Sequence, residues 1–120
     1  MAEPTFCTVA EVGYKAGSGK SATSAAEAYV LAYAKGVESY INTVTRYNWS
    51  DAYGALDVDV KYLLNEIQAN LTAIYVISYD MTGYSSLGEA QVLINVLWER
   101  AQECIKLLMD KKNEDFITGA

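Results

Sequence analysis

The sequence predicts an all-α fold, a small helical bundle of three long helices plus a short N-terminal helix, with extended terminal arms. Apolar residues recur every three or four positions along three long stretches, and capping pairs or turn residues separate these stretches. Of the 120 residues, 52% are apolar and only one is proline, so a packed core needs no disulfide or metal. We expect one domain over residues 1–120. Residues 1–23 form the arm, short helix and linker, 24–111 the bundle and 112–120 the tail.

The first two helices have recognisable starts. Thr8 precedes Glu11 by three residues, and Ser24 precedes Glu27 by three; both spacings are typical of a capping box. They predict a short helix near residues 8–15 and a long one from about residue 24 to 47. Gly36 inside the long helix costs roughly 1 kcal/mol relative to alanine, which is tolerable if another backbone packs closely there. The apolar stripe of the long helix comprises Val30, Tyr33, Val37, Ile41 and Val44.

The next two helices follow a break over residues 48–57, "NWSDAYGALD". Asp57 or Asp59 opens the second long helix, whose centre "LTAIYVISY" is apolar on most sides and therefore predicts a buried central helix. The β-branched residues there leave a strand open as the minority alternative. Gly83 ends this helix, and Ser86 with Glu89 caps the third, which runs to about residue 111. The third stripe comprises Ala90, Leu93, Ile94, Leu97, Ala101, Ile105 and Leu108.

The stretch "GYKAGSGKSAT", residues 13–23, resembles a phosphate-binding loop because it ends in Gly-Lys-Ser. That loop needs a glycine five positions before Gly19, where this chain has Tyr14. The strand that would hold magnesium, ending at Asp80, overlaps the second long helix. We therefore interpret residues 17–21 as a linker of small residues and predict no nucleotide site.

Charge and composition argue against several function classes. The net charge is −6, and Lys111 with Lys112 is the only basic cluster, so binding to nucleic-acid phosphates or anionic membranes is disfavoured. No apolar run reaches the roughly 18 residues of a membrane span, and no signal peptide is visible. Cys7 and Cys104 follow no metal or redox spacing, which predicts reduced thiols in a cytosolic protein.

Catalytic chemistry has little support in the sequence, because the chain contains no histidine. Asp57 and Asp59 lie at a predicted helix start, where acidic residues are favoured by the helix dipole. Glu99 and Glu103 lack the Glu-x-x-His partners of a bundle metal site. We predict no catalytic residue, cofactor or metal ion. Trp49 and Trp98 are interpreted as residues that fill the core or a groove.

The ten tyrosines are more informative. Several fall outside the predicted stripes or in loops, and large amphipathic side chains outside a core are enriched in protein–protein interfaces. The alternative is that they border a small core. Each chain end is a short polar segment that contains a large apolar residue. This composition is typical of a terminal segment that becomes ordered when it binds a partner. The candidate interface residues are Pro4, Phe6, Tyr14, Tyr53, Tyr84, Phe116 and Ile117.

The order of these parts resembles the head-to-tail connector (adaptor) proteins of long-tailed bacteriophages. The resemblance lies in the short helix "TVAEV", the helix "EAYVLAYAKGVESYINTVTRYNW" with its aromatic-rich turn, and the helical pair "VDVKYLLNEIQANLTAIYVISYDM" and "LGEAQVLINVLWERAQECIKLL". It implies a non-enzymatic structural protein of the virion neck, assembled in the host cytoplasm. About a dozen copies would form a ring joining the portal protein to a tail-side neck or terminator protein. DNA would pass through the ring without specific binding, and no membrane is involved.

Two other classes remain as alternatives. One is a small helical protein–protein interaction or regulatory module. The other is an enzyme whose carboxylates gather only in three dimensions. Self-assembly distinguishes the connector from the interaction module, because a ring subunit needs two unlike surfaces that meet in succession.

Overall fold

The computed structural model describes residues 4–17, 26–79, 84 and 86–109. Within these residues every regular element is helical, so the all-α prediction is confirmed and the strand alternative is overturned. The described residues contain five α-helices and one 3₁₀ turn. They are α1 (Val9–Ala16), α2 (Glu27–Thr45), α3 (Trp49–Ala52), the 3₁₀ turn (Tyr53–Ala55), α4 (Val58–Tyr79) and α5 (Leu87–Met109).

Helix α4 is the centre of the fold, because α1, α2 and α5 all pack against it. Residues 68–73 of α4 are buried on every side of the helix, as the apolar sequence around them predicts. Three of the enclosed side chains, Gln68, Asn70 and Thr72, are polar. The amide nitrogen of Asn70 donates to the Leu97 carbonyl of α5 at 3.4 Å, so α4 joins its neighbours by polar as well as apolar contacts.

Side-chain caps define the starts of α1, α4 and α5. At α1 the predicted capping box is present: the Glu11 N–H donates to Thr8 Oγ1 at 3.1 Å, and the Thr8 N–H donates to Glu11 Oε1 at 2.7 Å. At α4 the cap is Asp57 rather than Asp59, since Asp57 Oδ1 accepts from the Asp59 N–H at 3.0 Å. At α5 Ser86 Oγ accepts from the Glu89 N–H at 3.0 Å, as predicted.

The bounds of α2 differ from the prediction at both ends. The helix begins at Glu27, after Ala26, whose side chain makes no capping hydrogen bond; the predicted cap, Ser24, lies outside the described residues. The helix ends at Thr45, because Arg46 adopts a left-handed conformation with φ of 57°. No glycine marks this end, and a non-glycine residue with positive φ is not foreseeable from periodicity.

The predicted break after α2 contains structure of its own. Helix α3 forms because Asn48 Oδ1 accepts from the Asp51 N–H at 3.2 Å and caps it. Trp49 is buried, and its indole Nε1 donates to Thr45 Oγ1 at 2.7 Å. The interpretation of Trp49 as a core residue is therefore confirmed, and a second short helix joins the predicted one.

The N-terminal segment from Pro4 to Thr8 packs onto the bundle, whereas we expected a projecting arm. Phe6 is only 2% exposed, and its N–H donates to Gln68 Oε1 at 2.8 Å. Gln68 Nε2 in turn donates to the Ala34 carbonyl of α2 at 3.1 Å. Gln68 thus joins the N-terminal segment, α2 and α4 in the middle of the core. The burial of Phe6 and the hydrogen bond of its N–H stabilise the packed position of the segment.

Candidate functional site

An apolar groove of about 360 Å³ opens on the face of the bundle where α2 and α5 flank α4. Helix α4 forms its floor, because α4 packs against both flanking helices while these two touch each other little. Three of its aromatic side chains, Tyr40, Tyr75 and Trp98, are 39–53% exposed. The full lining is Gly36, Val37, Tyr40, Leu71, Ile74, Tyr75 and Trp98.

The groove exists because a row of large side chains on α2 is interrupted by a glycine. Tyr29, Tyr33, Gly36 and Tyr40 recur at intervals of four, three and four residues, a spacing that places them on one side of a helix. A Cβ atom at position 36 would meet no other atom within 4 Å. The close backbone approach that we expected at Gly36 is therefore absent, and the missing side chain leaves open space instead.

Tyrosine rings continue the groove toward the start of α2 and the end of α4. The Tyr33 and Tyr75 rings stack with centroids 5.4 Å apart and an interplanar angle of 18°. The centroid of the Tyr29 ring lies 6.3 Å from that of Tyr33 and 5.7 Å from that of Tyr79. These distances suit the favourable offset and tilted geometries of aromatic pairs, so the four rings form a connected surface with apolar faces and polar hydroxyl edges.

A second apolar surface lies on α5 away from the groove. Val92, Val96 and Leu107, which we call the α5 ridge, are 62%, 56% and 46% exposed. At 3.6 residues per turn they lie about 120° to 180° around the helix from Trp98, which borders the groove. The chain therefore presents a concave aromatic surface and a convex aliphatic surface in different directions.

A polar cluster around Glu66 ties α1, α4 and α5 together. Glu66 Oε1 accepts from Lys15 Nζ at 2.9 Å, from Arg100 Nε at 3.0 Å and from Asn70 Nδ2 at 3.3 Å. Burial by itself raises the pKa of Glu66, but the hydrogen bonds and charges of Lys15 and Arg100 outweigh it, so the pKa lies below its ordinary value. The ionised carboxylate is thus a structural junction between helices.

The predicted interface residues are dispersed, and the structure does not bring them together into one site. Tyr14 is 82% exposed on α1, Pro4 is half-buried, and Phe6 is buried. Tyr53 is half-buried with its ring 5.3 Å from that of Phe6, and burial, followed by the charge of Glu11, raises the pKa of its hydroxyl. Phe116 and Ile117 lie outside the described residues.

Tyr84 differs most clearly from the expectation of an exposed tyrosine. Its side chain is buried, and its hydroxyl donates to the Ala16 carbonyl at the end of α1 at 2.5 Å. Burial, with a smaller effect of the Glu89 charge, raises the pKa of this hydroxyl. Tyr84 therefore anchors the segment before α5 to α1 within the chain.

The groove residues were the part of the site that sequence reasoning missed. Trp98 was foreseen as core or groove-filling, and the structure places it on the groove wall. Tyr29 and Tyr40 are tyrosines of α2 outside its predicted apolar stripe, and the interruption of their row at Gly36 is visible only in the structure. The heptad-like spacing of residues 29, 33, 36 and 40 is the signal in the sequence that points to this surface.

The described residues offer little arranged chemistry elsewhere. Among them, no three His, Cys, Asp or Glu side chains gather closely enough to hold a metal ion. Both cysteine thiols are buried, and burial, followed by the charge of Glu66, raises the pKa of Cys104, which lowers its reactivity at neutral pH. Across residues 4–17, 26–79 and 86–109, no helix combines the length and apolarity needed to cross a bilayer.

Comparisons of the chain with protein-family models, with curated proteins and with solved structures returned no match.

Proposed function

We propose that this protein is a non-enzymatic assembly subunit whose copies join head to tail into a ring, in the manner of the phage connector proteins that its sequence resembles. The observation that carries the proposal is the pair of unlike apolar surfaces, the groove and the α5 ridge. The groove groups several exposed aromatic side chains, and the α5 ridge groups three exposed aliphatic ones. Exposed apolar side chains that lie together in this way commonly mark binding sites.

The arrangement of the two surfaces favours a ring over a closed dimer. A two-fold dimer uses one self-complementary surface, whereas a ring uses two different surfaces that meet between successive copies. The groove and the α5 ridge differ in shape, and they lie on separate sides of α5. In the proposed contact, Val92 and Val96 of one copy enter the groove beside Trp98 of the next.

Within this proposal, the three long helices with the short N-terminal helix form the body of the ring. The proposed partners of this body are the portal protein on one side and a tail-side neck or terminator protein on the other. The net charge of −6 suits a channel at the virion neck, because an acidic lining repels phosphate and lets DNA slide without specific binding. An assembled ring with a basic lumen would contradict this part of the proposal.

Blocking each surface separately tests the head-to-tail contact. Gly36→Leu fills the groove from a position with open space around it, and Val96→Glu places a charge on the α5 ridge. Tyr62→Glu is the matched control, since Tyr62 is 69% exposed on α4 and belongs to neither surface. Mass is measured by light scattering over a concentration series, with negative-stain images of the wild type.

We expect the wild type and Tyr62→Glu to form closed rings, and each blocked variant alone to remain a monomer. An equimolar mixture of the two blocked variants should form a dimer and stop there, because each partner retains one working surface. A wild-type dimer that both substitutions leave intact refutes the proposal, and so does a monomer at every concentration.

The second candidate is the small helical interaction or regulatory module, and one observation favours it. An apolar floor between two helices is the shape that receives an amphipathic helix from another protein. In that case the chain stays a monomer, the α5 ridge substitution has no effect on binding, and only Gly36→Leu abolishes it.

A further inference from the structure

The aromatic side chains in and beside the groove form one strip along α2 and α4. On α2, Tyr29 and Tyr40 are eleven residues apart, which is about 16.5 Å along the helix axis. Five of the six rings in the strip are 39–53% exposed. The aromatic strip comprises Tyr29, Tyr33, Tyr40, Tyr75, Tyr79 and Trp98. A surface of this length suits an extended peptide segment.

The surface formed by the strip and the groove is uncharged. The residues that line the groove include no Asp, Glu, Lys or Arg, although these types make up 20% of the chain. About 140° to 160° around α2 separate the strip from the charged residues of that helix, Glu27, Lys35 and Glu38. At the α5 edge, a separate hollow places Glu99, Glu103 and Lys106 beside Trp98. A charged partner would lose its hydration in the groove without gaining a counter-charge, so the groove selects an uncharged segment.

Ring contacts between α2 and α4 favour an extended chain over a helix as the partner. The Tyr33 and Tyr75 rings are stacked with centroids 5.4 Å apart. The Tyr29 and Tyr79 rings lie 5.7 Å apart. Both pairs join α2 to α4 and close the cleft between these helices at that level. A helix is about 10 Å wide and needs a trough that continues over several turns, whereas an extended chain lies flat across the rings.

The spacing of the strip matches a polyproline II helix. Tyr33 and Tyr40 lie on either side of Gly36 and are seven residues apart, about 10.5 Å along α2. One turn of polyproline II contains three residues and rises about 9.3 Å. Two residues one turn apart therefore contact both rings together. The chain between them passes over the open space at Gly36, where an added Cβ would find no atom within 4 Å.

The hydrogen-bonding groups are also complementary. Proline has no N–H, so a proline-rich segment mainly presents carbonyl oxygens, which polyproline II leaves free. The strip presents donors, namely tyrosine hydroxyls and the indole N–H of Trp98. Among the described residues, the Tyr40 and Tyr75 hydroxyls and the Trp98 indole have no hydrogen-bond partner. The buried Trp49 indole differs, since it donates to Thr45 Oγ1.

From these observations we propose that the aromatic strip binds a proline-rich segment in the polyproline II conformation. The chain contains a single proline, Pro4, so the segment belongs to a different protein. A preformed polyproline II helix loses little conformational entropy on binding. The inference does not require a ring. Under the proposed function the α5 ridge of the next copy uses the same groove, so the segment and that copy exclude each other.

Titration with a polyproline decamer, which at about 31 Å spans the whole strip, tests the proposal. The Val96→Glu protein is used, because its blocked α5 ridge keeps other copies out of the groove. The two indole N–H signals are followed by ¹H–¹⁵N correlation NMR, with buried Trp49 as the internal reference. We expect a saturable shift of the Trp98 signal and no shift of the Trp49 signal. A glycine–serine decamer should shift neither.

Variants made in the same background identify the surface. Tyr75→Ala removes a half-exposed ring and should weaken binding about tenfold, as the loss of an aromatic anchor does. Tyr40→Ala should have the same effect from a different helix. Gly36→Leu should abolish binding, because it fills the space between the rings. Tyr62→Ala is the matched control, since Tyr62 is 69% exposed on α4 outside the strip; it should leave the affinity unchanged. Circular dichroism shows whether each variant keeps its helices.

Three outcomes overturn the proposal. One is a Trp98 signal that millimolar polyproline does not shift, or that the glycine–serine peptide shifts equally. Another is an affinity that Tyr40→Ala and Tyr75→Ala both leave unchanged. The third is tighter binding of an amphipathic helical peptide, which assigns the groove to a helix. The titration uses a monomer and is independent of ring formation, whereas the blocked-variant mixture is independent of the peptide. Failure of one proposal is therefore distinguishable from failure of the other.

Discussion

Replacing Gly36 by alanine should stabilise the protein, although most substitutions destabilise. Glycine in a helix interior loses more conformational entropy on folding than alanine does, which amounts to about 1 kcal/mol. Nothing offsets this gain, because an added Cβ at position 36 would find no atom within 4 Å. The expected increase in unfolding free energy is therefore the full helix-propensity difference, about 0.8 to 1 kcal/mol.

The measurement is urea unfolding followed by circular dichroism, together with a thermal scan. For a chain of this size the gain corresponds to a rise in Tm of about 3 to 5 °C. Gly17→Ala is the matched control, because it makes the same chemical change at a glycine with φ of 83°. A Cβ there is also free of clashes, with Leu93 Cδ2 4.0 Å away, so backbone strain alone acts. That strain should cost about 1 to 3 kcal/mol.

The two substitutions should thus change stability in opposite directions. A loss of stability in Gly36→Ala would refute the description of position 36 as open, and would show that another backbone approaches there after all. An unchanged m-value is required for either conclusion, because a different slope means that the unfolded or native state has changed in compactness.

Three further predictions concern the interior. Phe6→Ala should lower the unfolding free energy by about 3 to 5 kcal/mol, because the ring is 2% exposed; a loss below 1 kcal/mol in denaturant unfolding contradicts its core position. Gln68→Leu leaves the Phe6 N–H and the Ala34 carbonyl without their partner and should lower the unfolding free energy by about 2 to 6 kcal/mol. Gln68→Glu keeps an oxygen that accepts from the Phe6 N–H but loses the N–H that donates to the Ala34 carbonyl. Hydrogen exchange at the Phe6 amide is compared between these two variants. The pKa of Glu66 is lower in the folded state than in the unfolded state. The carboxylate therefore stabilises the fold at a pH above the unfolded-state pKa, and this contribution is lost as the pH falls through the folded-state pKa. The stability difference between wild type and Glu66→Gln should therefore shrink as pH falls below the ordinary glutamate pKa of about 4.3, and a difference that is constant with pH refutes the role of the ionised carboxylate.

Much of the helical structure follows from local sequence. The Thr8 and Ser86 caps and the burial of α4 were foreseeable, because capping and amphipathic periodicity involve residues within one or two turns of each other. The end of α2 was less accessible. Its left-handed residue is Arg46, which is not a glycine. Helix α3 is capped by Asn48 and held by the contact of Trp49 with Thr45, four residues earlier, so neither feature is marked by a glycine or by an apolar stripe.

The candidate site depended even more on the tertiary structure. The sequence directed attention to tyrosines and chain ends, yet Phe6 and Tyr84 are buried within the chain. Tyr75 and Tyr79 carry no separate signal in the sequence, because on α4 they continue an apolar helix. They form a surface only when α2 places Tyr29 and Tyr33 against them. Pairing between helices is not encoded in the periodicity of either helix.

The helical character of the chain, most of its helix starts and the identity of the central helix follow from the order of the amino acids, since these features depend on backbone hydrogen bonding and on the spacing of apolar residues along the chain. Which side chains remain exposed depends on how the helices pack against one another. From the sequence, a glycine inside a helix indicates only a loss of helix propensity. At Gly36 the neighbouring side chains lie apart, and the space between them is the groove on which the proposed function depends.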